Sequence, residues 1–298
     1  MKKRVVDLFC GCGGLSLGFQ KAGFEIVSAF DNWNPAVETY KKNFNHPVIK
    51  KDLFEEDSID IIKQFSPNII IGGPPCQDFS IAGKRQEGKR ANLTIRFAEI
   101  VSCVKPDIFV MENVYNIEKM PVLKKAIDLF ENAGYQINKR VLDASFCGCP
   151  QKRNRFVMIG YLNKPHHSID EVVESLKSKR PLTVRDYCGD LINTDFYYMH
   201  PRSYKRRAIF SIDEPSSTIR GVNRPMPINY EFHPADKCKD KTIIRPLTTI
   251  ERSYIQTFPI GFSFVGTKTE IEQMIGNAVP VNLGKFIGKV VFGSFYED

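Results

Sequence analysis

Three side chains able to do chemistry stand where apolar runs end: Cys76 after Ile69-Ile70-Ile71-Gly72-Gly73-Pro74-Pro75, Glu112 after Asp107 to Met111, and Asp31 after Glu25 to Phe30. The β-branched run predicts a buried strand; the glycines end it and the prolines stiffen a loop that presents the thiol. A thiolate is a good nucleophile when its pKa is lowered or a base is at hand, and a loop leading to a helix N-terminus with basic neighbours supplies part of that. Glu112 would donate a hydrogen bond if a semi-buried site raised its pKa, so that thiol attack and protonation of one heterocycle would be coupled. The alternative for Cys76 is an ordinary strand-to-loop transition with a small buried cysteine.

A second constellation is Phe9-Cys10-Gly11-Cys12-Gly13-Gly14, between a predicted strand over residues 4–9 and a helical pattern through Leu15, Leu17, Phe19 and Ala22. Glycines there let a ligand approach the backbone, and Asp31, 20 residues past Gly11, is placed to accept from ribose hydroxyls. The spacing is G-x-G-G and not the G-x-G-x-x-G of dinucleotide enzymes, which points away from a pyrophosphate. A nucleoside with an amino-acid tail, as in S-adenosylmethionine, needs backbone donors for its carboxylate and an acid for its ribose. Trp33, the single tryptophan, either covers an adenine face or sits at a helix start on the core edge. In Gln151-Lys152-Arg153-Asn154-Arg155, strand alternation would point Arg153 and Arg155 together at an anion or carbonyl; solvated surface charge is the alternative.

The elements that must position these residues alternate. After the second strand come a helix from Pro35 to Phe44, a short strand at Val48-Ile49-Lys50 leading to Asp52, a helix near 57–65, the Ile69–Ile71 strand, and a helix from Leu93 to Val104. The Glu112 strand, a helix from Pro121 to Ala133, and strands from Tyr135 to Leu142 and Arg155 to Leu162 complete the series. Such alternation predicts an α/β fold with a doubly wound, mostly parallel sheet, whose ligands bind beyond the carboxyl ends of the strands. Gly11–Gly14, Asp31, Asp52, Cys76 and Glu112 all fall there, which argues for a single site. Residues 163–244 are proline-rich with little periodicity and predict a smaller, loop-rich, partly β domain. Helices are expected again at Leu247 to Phe258 and Val281 to Phe292, the last packing back on the first domain. The expected division is 1–162 plus 271–298 for the first domain and 163–270 for the second.

With 298 residues, 42% hydrophobic and 26% charged, the chain can bury a real core. Its net charge of +8 favours a polyanionic partner. No apolar run approaches the ~20 residues of a membrane span, and the basic start, Met1-Lys2-Lys3-Arg4, lacks an apolar h-region, so a cytoplasmic address and no membrane partner are expected. The 8 cysteines suit reduced thiols, and the Cys10/Cys12 and Cys147/Cys149 spacings are too short for the usual structural zinc site, so no metal is expected.

Six ordered motifs resemble those of DNA (cytosine-5) methyltransferases of the bacterial restriction–modification type, nearly end to end. Asp7 to Gly14 is similar to the family's cofactor motif, Gly73-Pro74-Pro75-Cys76-Gln77 to its nucleophile loop, Glu112-Asn113-Val114 to its Glu-Asn-Val motif, and Gln151 to Arg155 to its Gln-x-Arg-x-Arg motif. Arg245-Pro246-Leu247-Thr248 with Glu251-Arg252, and Gly276-Asn277-Ala278-Val279-Pro280, resemble the last two. The resemblance implies a Rossmann-like methyltransferase fold with a target-recognition domain, acting on double-stranded DNA. Cys76 would add to C6 of a flipped cytosine, Glu112 would hydrogen-bond N3 and the exocyclic amine, and Arg155, with Arg153 beside it, would serve the O2 side. C5 would then take the methyl of S-adenosylmethionine, leaving S-adenosylhomocysteine. By position Phe9, Asp31, Asp52 and Asn277 would contact the cofactor, with Gly11, Cys12, Gly13, Gly14, Asn32, Trp33, Leu53 and Pro74 beside them.

Many relatives place an aromatic directly after the ribose-binding acid, whereas here Asn32 follows Asp31 and Trp33 comes one later. The basic, glycine-flanked segment 83–93 would be the loop that closes on DNA, with Gln77, Ser80, Lys84, Arg85, Lys89 and Arg90 as contacts. In the recognition region Thr218, Arg220 and Arg224 are suited to groove contact, and the two arginines would either read guanine edges or anchor phosphates. The resemblance further implies a monomer that protects host DNA beside a cognate endonuclease. Rival expectations are a tRNA cytosine-5 methyltransferase and a non-catalytic DNA-binding regulator on the same fold; a nicotinamide oxidoreductase is disfavoured by the glycine spacing.

Overall fold

A computed structural model describes residues 3–75, 92–203 and 205–297. Cys76, Gln77, Ser80, Lys84, Arg85, Lys89 and Arg90 lie outside the described residues. In chain order the first half forms β1 (Arg4–Leu8), α1 (Gly14–Lys21), β2 (Glu25–Asp31), α2 (Asn34–Asn43), β3 (Val48–Lys50), α3 (Ser58–Gln64), β4 (Ile69–Gly72), α4 (Asn92–Val104), β5 (Ile108–Val114), α5 (Pro121–Asn132), β6 (Gln136–Asp143) and β7 (Asn154–Tyr161). The strands make a seven-stranded sheet in the order β3-β2-β1-β4-β5-β7-β6. Strand β7 runs antiparallel to both neighbours, and β1, β2, β3, β4 and β5 pair in parallel. The strand order reverses between β1 and β4, the position at which open α/β sheets bind ligands.

Helices cover both faces, which is why the strands read as continuous apolar runs. On one face Val5, Ile69, Ile71, Ile108, Val110, Val157 and Ile159 pack with residues of α1 and of the last helix. On the other, Val6, Ile70, Phe109, Met111, Phe156 and Met158 pack on Phe97, Val101, Leu123 and Phe130 from α4 and α5. Alternation puts Asp7 on the first face with Val5, and Glu112 there with Ile108 and Val110.

The second half contributes α6 (Ile169–Leu176), α7 (Val184–Cys188), β8 (Phe196–Tyr198), β9 (Ile209–Ser211), β10 (Arg245–Pro246), α8 (Thr249–Ile255), α9 (Lys268–Asn277) and α10 (Val281–Phe295). A three-stranded sheet, β10-β8-β9, centres the smaller unit, held by Val184, Tyr197, Phe210, Ile219, Leu247 and Ile255. Asp236 braces its edge by accepting from the backbone N–H of Ala208 and Ile209, both at 2.9 Å, and from the Tyr230 hydroxyl at 2.8 Å.

Several elements depart from expectation. The stretch after residue 162 holds two helices, and α6 buries Ile169 and Val173 in the core of the large sheet. Its N-cap, Ser168, accepts from the Glu171 N–H at 3.4 Å, so Ser-Ile-Asp-Glu was a start signal within an apparently loop-rich region. The helix expected over 247–258 is shorter, because Thr248 and Glu251 form a capping box that starts it at Thr249. Helix α9 was not expected as such; Ile271 and Ile275 face the small sheet while Met274 packs beside Cys10 and Cys12.

Candidate active site

A cleft of about 640 Å³ opens at the carboxyl ends of β1, β2, β4 and β5. One end is lined by Phe9, Gly11, Cys12, Asp31, Asn32, Trp33, Asp52 and Leu53, the other by Gly73, Pro74, Pro75, Glu112, Asn113, Arg153 and Arg155, with Asn277 and Ala278 closing the side. The sheet topology thus joins residues that the sequence scatters over 270 positions.

At the first end, β1 turns sharply out of the sheet. Phe9 holds φ at 59°, the left-handed region that a bulky side chain rarely occupies, at the point where the chain meets the cleft. Asp31 ties this turn to β2: Oδ2 accepts from the Gly11 N–H and Oδ1 from the Trp33 N–H, both at 2.8 Å. Burial raises its pKa while those donors and the Asn32 N–H oppose the rise, and each oxygen keeps a second lone pair for a ligand hydroxyl. Asp52 is exposed at the end of β3, its Oδ1 accepting from the Phe54 N–H at 3.0 Å. Trp33, at the start of α2, is half-buried beside Cys10, Cys12 and Tyr40 and lines the cleft. The Cys12 thiol is pushed up to about 12, chiefly by burial, and is chemically quiet.

Gly13 and Gly14, expected beside the cofactor, do not line the cleft. A Cβ on Gly13 would lie 2.4 Å from the Phe44 ring, and one on Gly14 would lie 2.1 Å from the Val279 carbonyl oxygen. They are there for close packing of α1 on the surrounding chain.

At the second end, β4, β5 and β7 present the polar group that matters most. Glu112 is 7% exposed, and Arg155 Nε lies 2.9 Å from its Oε1. The N–H is not aligned for a hydrogen bond, so Oε1 keeps an unfilled position. Burial raises the Glu112 pKa, opposed by Arg155 and then Arg153. A carboxyl held this way can carry a proton and donate it. Gly73 permits the arrangement: a Cβ there would sit 3.3 Å from Glu112 Oε2. Asn113 fixes the loop by donating from Nδ2 to the Pro74 carbonyl at 2.9 Å.

The two arginines part company. Strand β7 begins at Asn154, so Arg153 precedes the alternation that was expected to pair it with Arg155. Its guanidinium is 2% exposed and donates to the carbonyls of Ile219 at 2.9 Å, Gly276 at 3.0 Å and Ala278 at 3.1 Å. Gln151 works alongside, accepting from the Ile219 N–H at 3.3 Å and donating to Gln256 Oε1 at 2.6 Å. Gly276 and Gly221 then meet so closely that a Cβ on Gly276 would lie 2.1 Å from the Gly221 nitrogen. Arg153 therefore positions the loop bearing Asn277 against the small domain, and Arg155 faces the buried acid.

In the small domain Thr218 donates to the Lys152 carbonyl at 2.8 Å, Arg220 donates to the His200 carbonyl, and Arg224 is exposed. Asp7 was missed as a cleft residue. It is fully buried, accepts from the Ser16 hydroxyl at 2.5 Å through Oδ2, and leaves Oδ1 without a partner. Burial pushes its pKa up to about 7, the Ser16 bond opposes, and Asp31 adds to the rise. The signal was an acid inside the apolar run Val5-Val6-Asp7-Leu8-Phe9. Among the described residues no group of three His, Cys, Asp or Glu side chains could hold a metal, and no helix is long and apolar enough to cross a membrane.

A cleft at the switch point of a doubly wound sheet, with a buried acid and an arginine at one end and Asp31 at the other, has the form of a nucleoside-binding α/β enzyme site. Residues 3–293 match the C-5 cytosine-specific DNA methylase family, and the chain belongs to that family. It is a DNA (cytosine-5)-methyltransferase. The chain is 56% identical over 291 residues to the type II methyltransferase M.HindV of Haemophilus influenzae, covering 97% of this chain and 96% of that one. It is 54% identical to M.HgiDI of Herpetosiphon aurantiacus, covering 95% and 92%. In fold it is similar to the Entamoeba histolytica methyltransferase EhMeth, with a TM-score of 0.76 at 22% identity over 98% of both chains. The S. pombe Dnmt2 methyltransferase gives 0.72 at 17% identity over 98% of this chain and 99% of that one. Membership implies S-adenosylmethionine as the methyl donor.

Proposed function

We infer that the protein methylates C5 of one cytosine in a specific sequence of double-stranded DNA, and that this protects host DNA from a partner endonuclease in the cytoplasm. The supporting observation is that Glu112 and Arg155 share a cleft with Asp31 and Asp52. Such a cleft brings a base and a nucleoside cofactor together, and a cytosine reaches it by leaving the stack.

Cys76 follows Pro75, which lines the cleft, and acts as the nucleophile: its sulfur bonds to C6 while Glu112 donates its proton toward N3 and accepts from the exocyclic amine. Arg155, in van der Waals reach of the acid, donates to O2, so that the ring electrons are drawn toward C5. Phe9, Gly11, Asp31, Asp52 and Asn277 would hold S-adenosylmethionine, which when bound would supply an electrophilic methyl group for C5 and leave as S-adenosylhomocysteine. The residues fit that group: the volume lies in the range of ligand clefts, and Asp31 and Asp52 offer acceptors along its lining. Solvent takes the C5 proton, the electron pair re-forms the C5–C6 double bond and expels Cys76 as the thiolate, and N3 returns its proton to Glu112.

Transfer of labelled methyl from S-adenosylmethionine to duplex DNA, abolished by Cys76→Ala, is the expected result. Robust labelling of tRNA with none of DNA would overturn the substrate; transfer surviving Cys76→Ala would remove the nucleophile.

A further inference from the structure

Beyond the six motifs, the lip of the cleft gathers positive charge on three stapled segments. The Lys152 N–H donates to the Ser216 carbonyl at 2.8 Å, and the Ser216 N–H to the Pro150 carbonyl at 2.9 Å, which lays the chain around 216–220 along that around 150–155. The hydroxyls of Ser216 and Ser217 approach the Met199 sulfur at 3.5 and 3.4 Å, and Arg220 donates to the His200 carbonyl, which brings in the chain around 199–202. Arg155, Arg202 and Arg220 are thereby brought together.

Arg202 lies within electrostatic reach of both Arg155 and Arg220. Burial lowers the Arg155 pKa and Arg202 lowers it further against the pull of Glu112; burial and then Arg202 lower that of Arg220. Arg202 is exposed, and among the described residues neither it nor Arg220 forms an ion pair. Of the three, only Arg155 has a carboxyl partner among the described residues, Glu112, which burial already inclines toward the neutral form. Like charges collected without counter-charge mark a place built for an anion.

We propose that Arg202 binds a backbone phosphate of the strand whose cytosine enters the cleft, acting with Arg220 and the Arg155–Glu112 pair to hold the extruded nucleotide. The proposal rests on the DNA-methyltransferase reading. The sheet order argues for phosphate over the carboxylate of the cofactor. The cofactor end lies at β1 and β2, and β4 and β5 intervene before β7, each step adding about 4.8 Å. Arg202 and Arg220 do not line the cleft itself, which fits groups that grip the backbone outside it.

The test uses full-length enzyme, linear plasmid DNA and labelled S-adenosylmethionine, with KM for each substrate measured over a range of salt. Arg202→Ala is expected to raise KM for DNA on the order of tenfold, as for one charge-assisted hydrogen bond. The slope of log affinity against log salt should become shallower by about one. KM for S-adenosylmethionine and the melting temperature should not change, and Arg202→Lys should restore the slope, which a merely structural role would not do. Wild-type KM and slope in Arg202→Ala would overturn the proposal, as would a rise confined to KM for S-adenosylmethionine. A wild-type enzyme that labels no DNA at all would overturn the parent reading and this proposal with it.

Discussion

Arg155 sits opposite Val114 in the β5–β7 register, two positions away from Glu112, yet its Nε reaches Glu112 Oε1 at 2.9 Å. The contact is diagonal across an antiparallel pair, on one face of the sheet, and needs a side chain as long as arginine. Because Arg155 favours the ionised carboxyl, its removal raises the Glu112 pKa further. In Arg155→Gln the descending alkaline limb of the kcat profile should move to higher pH, since the proton-bearing form persists longer; a pH–rate profile checks this. Glu112→Gln should lower kcat by about 10²–10⁴-fold with KM for S-adenosylmethionine unchanged.

Gly73→Ala tests how tightly the nucleophile loop and the acid are fitted. The new methyl would press at 3.3 Å on Glu112 Oε2, and the carboxyl must give way by a few tenths of an ångström. Near-wild-type melting with kcat reduced by about tenfold or more is expected, because small misplacements of a reacting group are costly.

Arg153 is a test of structure and not of chemistry. Arg153→Ala leaves three buried carbonyls without their donor and should cost about 3–5 kcal/mol in urea unfolding. Arg153→Lys, lacking the planar fork, should recover little of it.

Asp7 makes stability depend on pH. Its folded pKa of about 7 lies above the ordinary 3.8, so the unfolded chain releases this proton first. Stability is intact below pH 4 and falls as pH rises to about 7, by on the order of 4 kcal/mol in all. Asp7→Asn keeps an acceptor for Ser16 and should gain on the wild type steadily across that interval. Melting curves from pH 4 to 8 report the difference.

The first five strands were legible because parallel strands buried on both faces are short apolar runs, and acids at their ends marked the ligand side. Glu112 and Asp31 therefore stand where the residues alone placed them. Arg153 could not be told from Arg155, since the alternating pattern does not say where the strand begins, and so does not say which guanidinium is spent on backbone carbonyls and which faces Glu112. Gly13 and Gly14 resembled ligand-facing glycines because packing against Phe44 and Val279 leaves no local trace in the chain. Asp7 was visible as a charge in an apolar strand, though its burial depends on Ser16 and Tyr40 from other elements.

Addition of Cys76 to C6 of a cytosine in DNA, which readies C5 for the methyl group of S-adenosylmethionine, is tested most directly by bisulfite sequencing of genomic DNA from a host expressing the protein. Wild-type protein should leave one cytosine unconverted within a recurring short sequence, and Cys76→Ala, expressed to the same level, should leave none. No protected sequence with the wild type, or the same protected sequence with Cys76→Ala, would contradict the account.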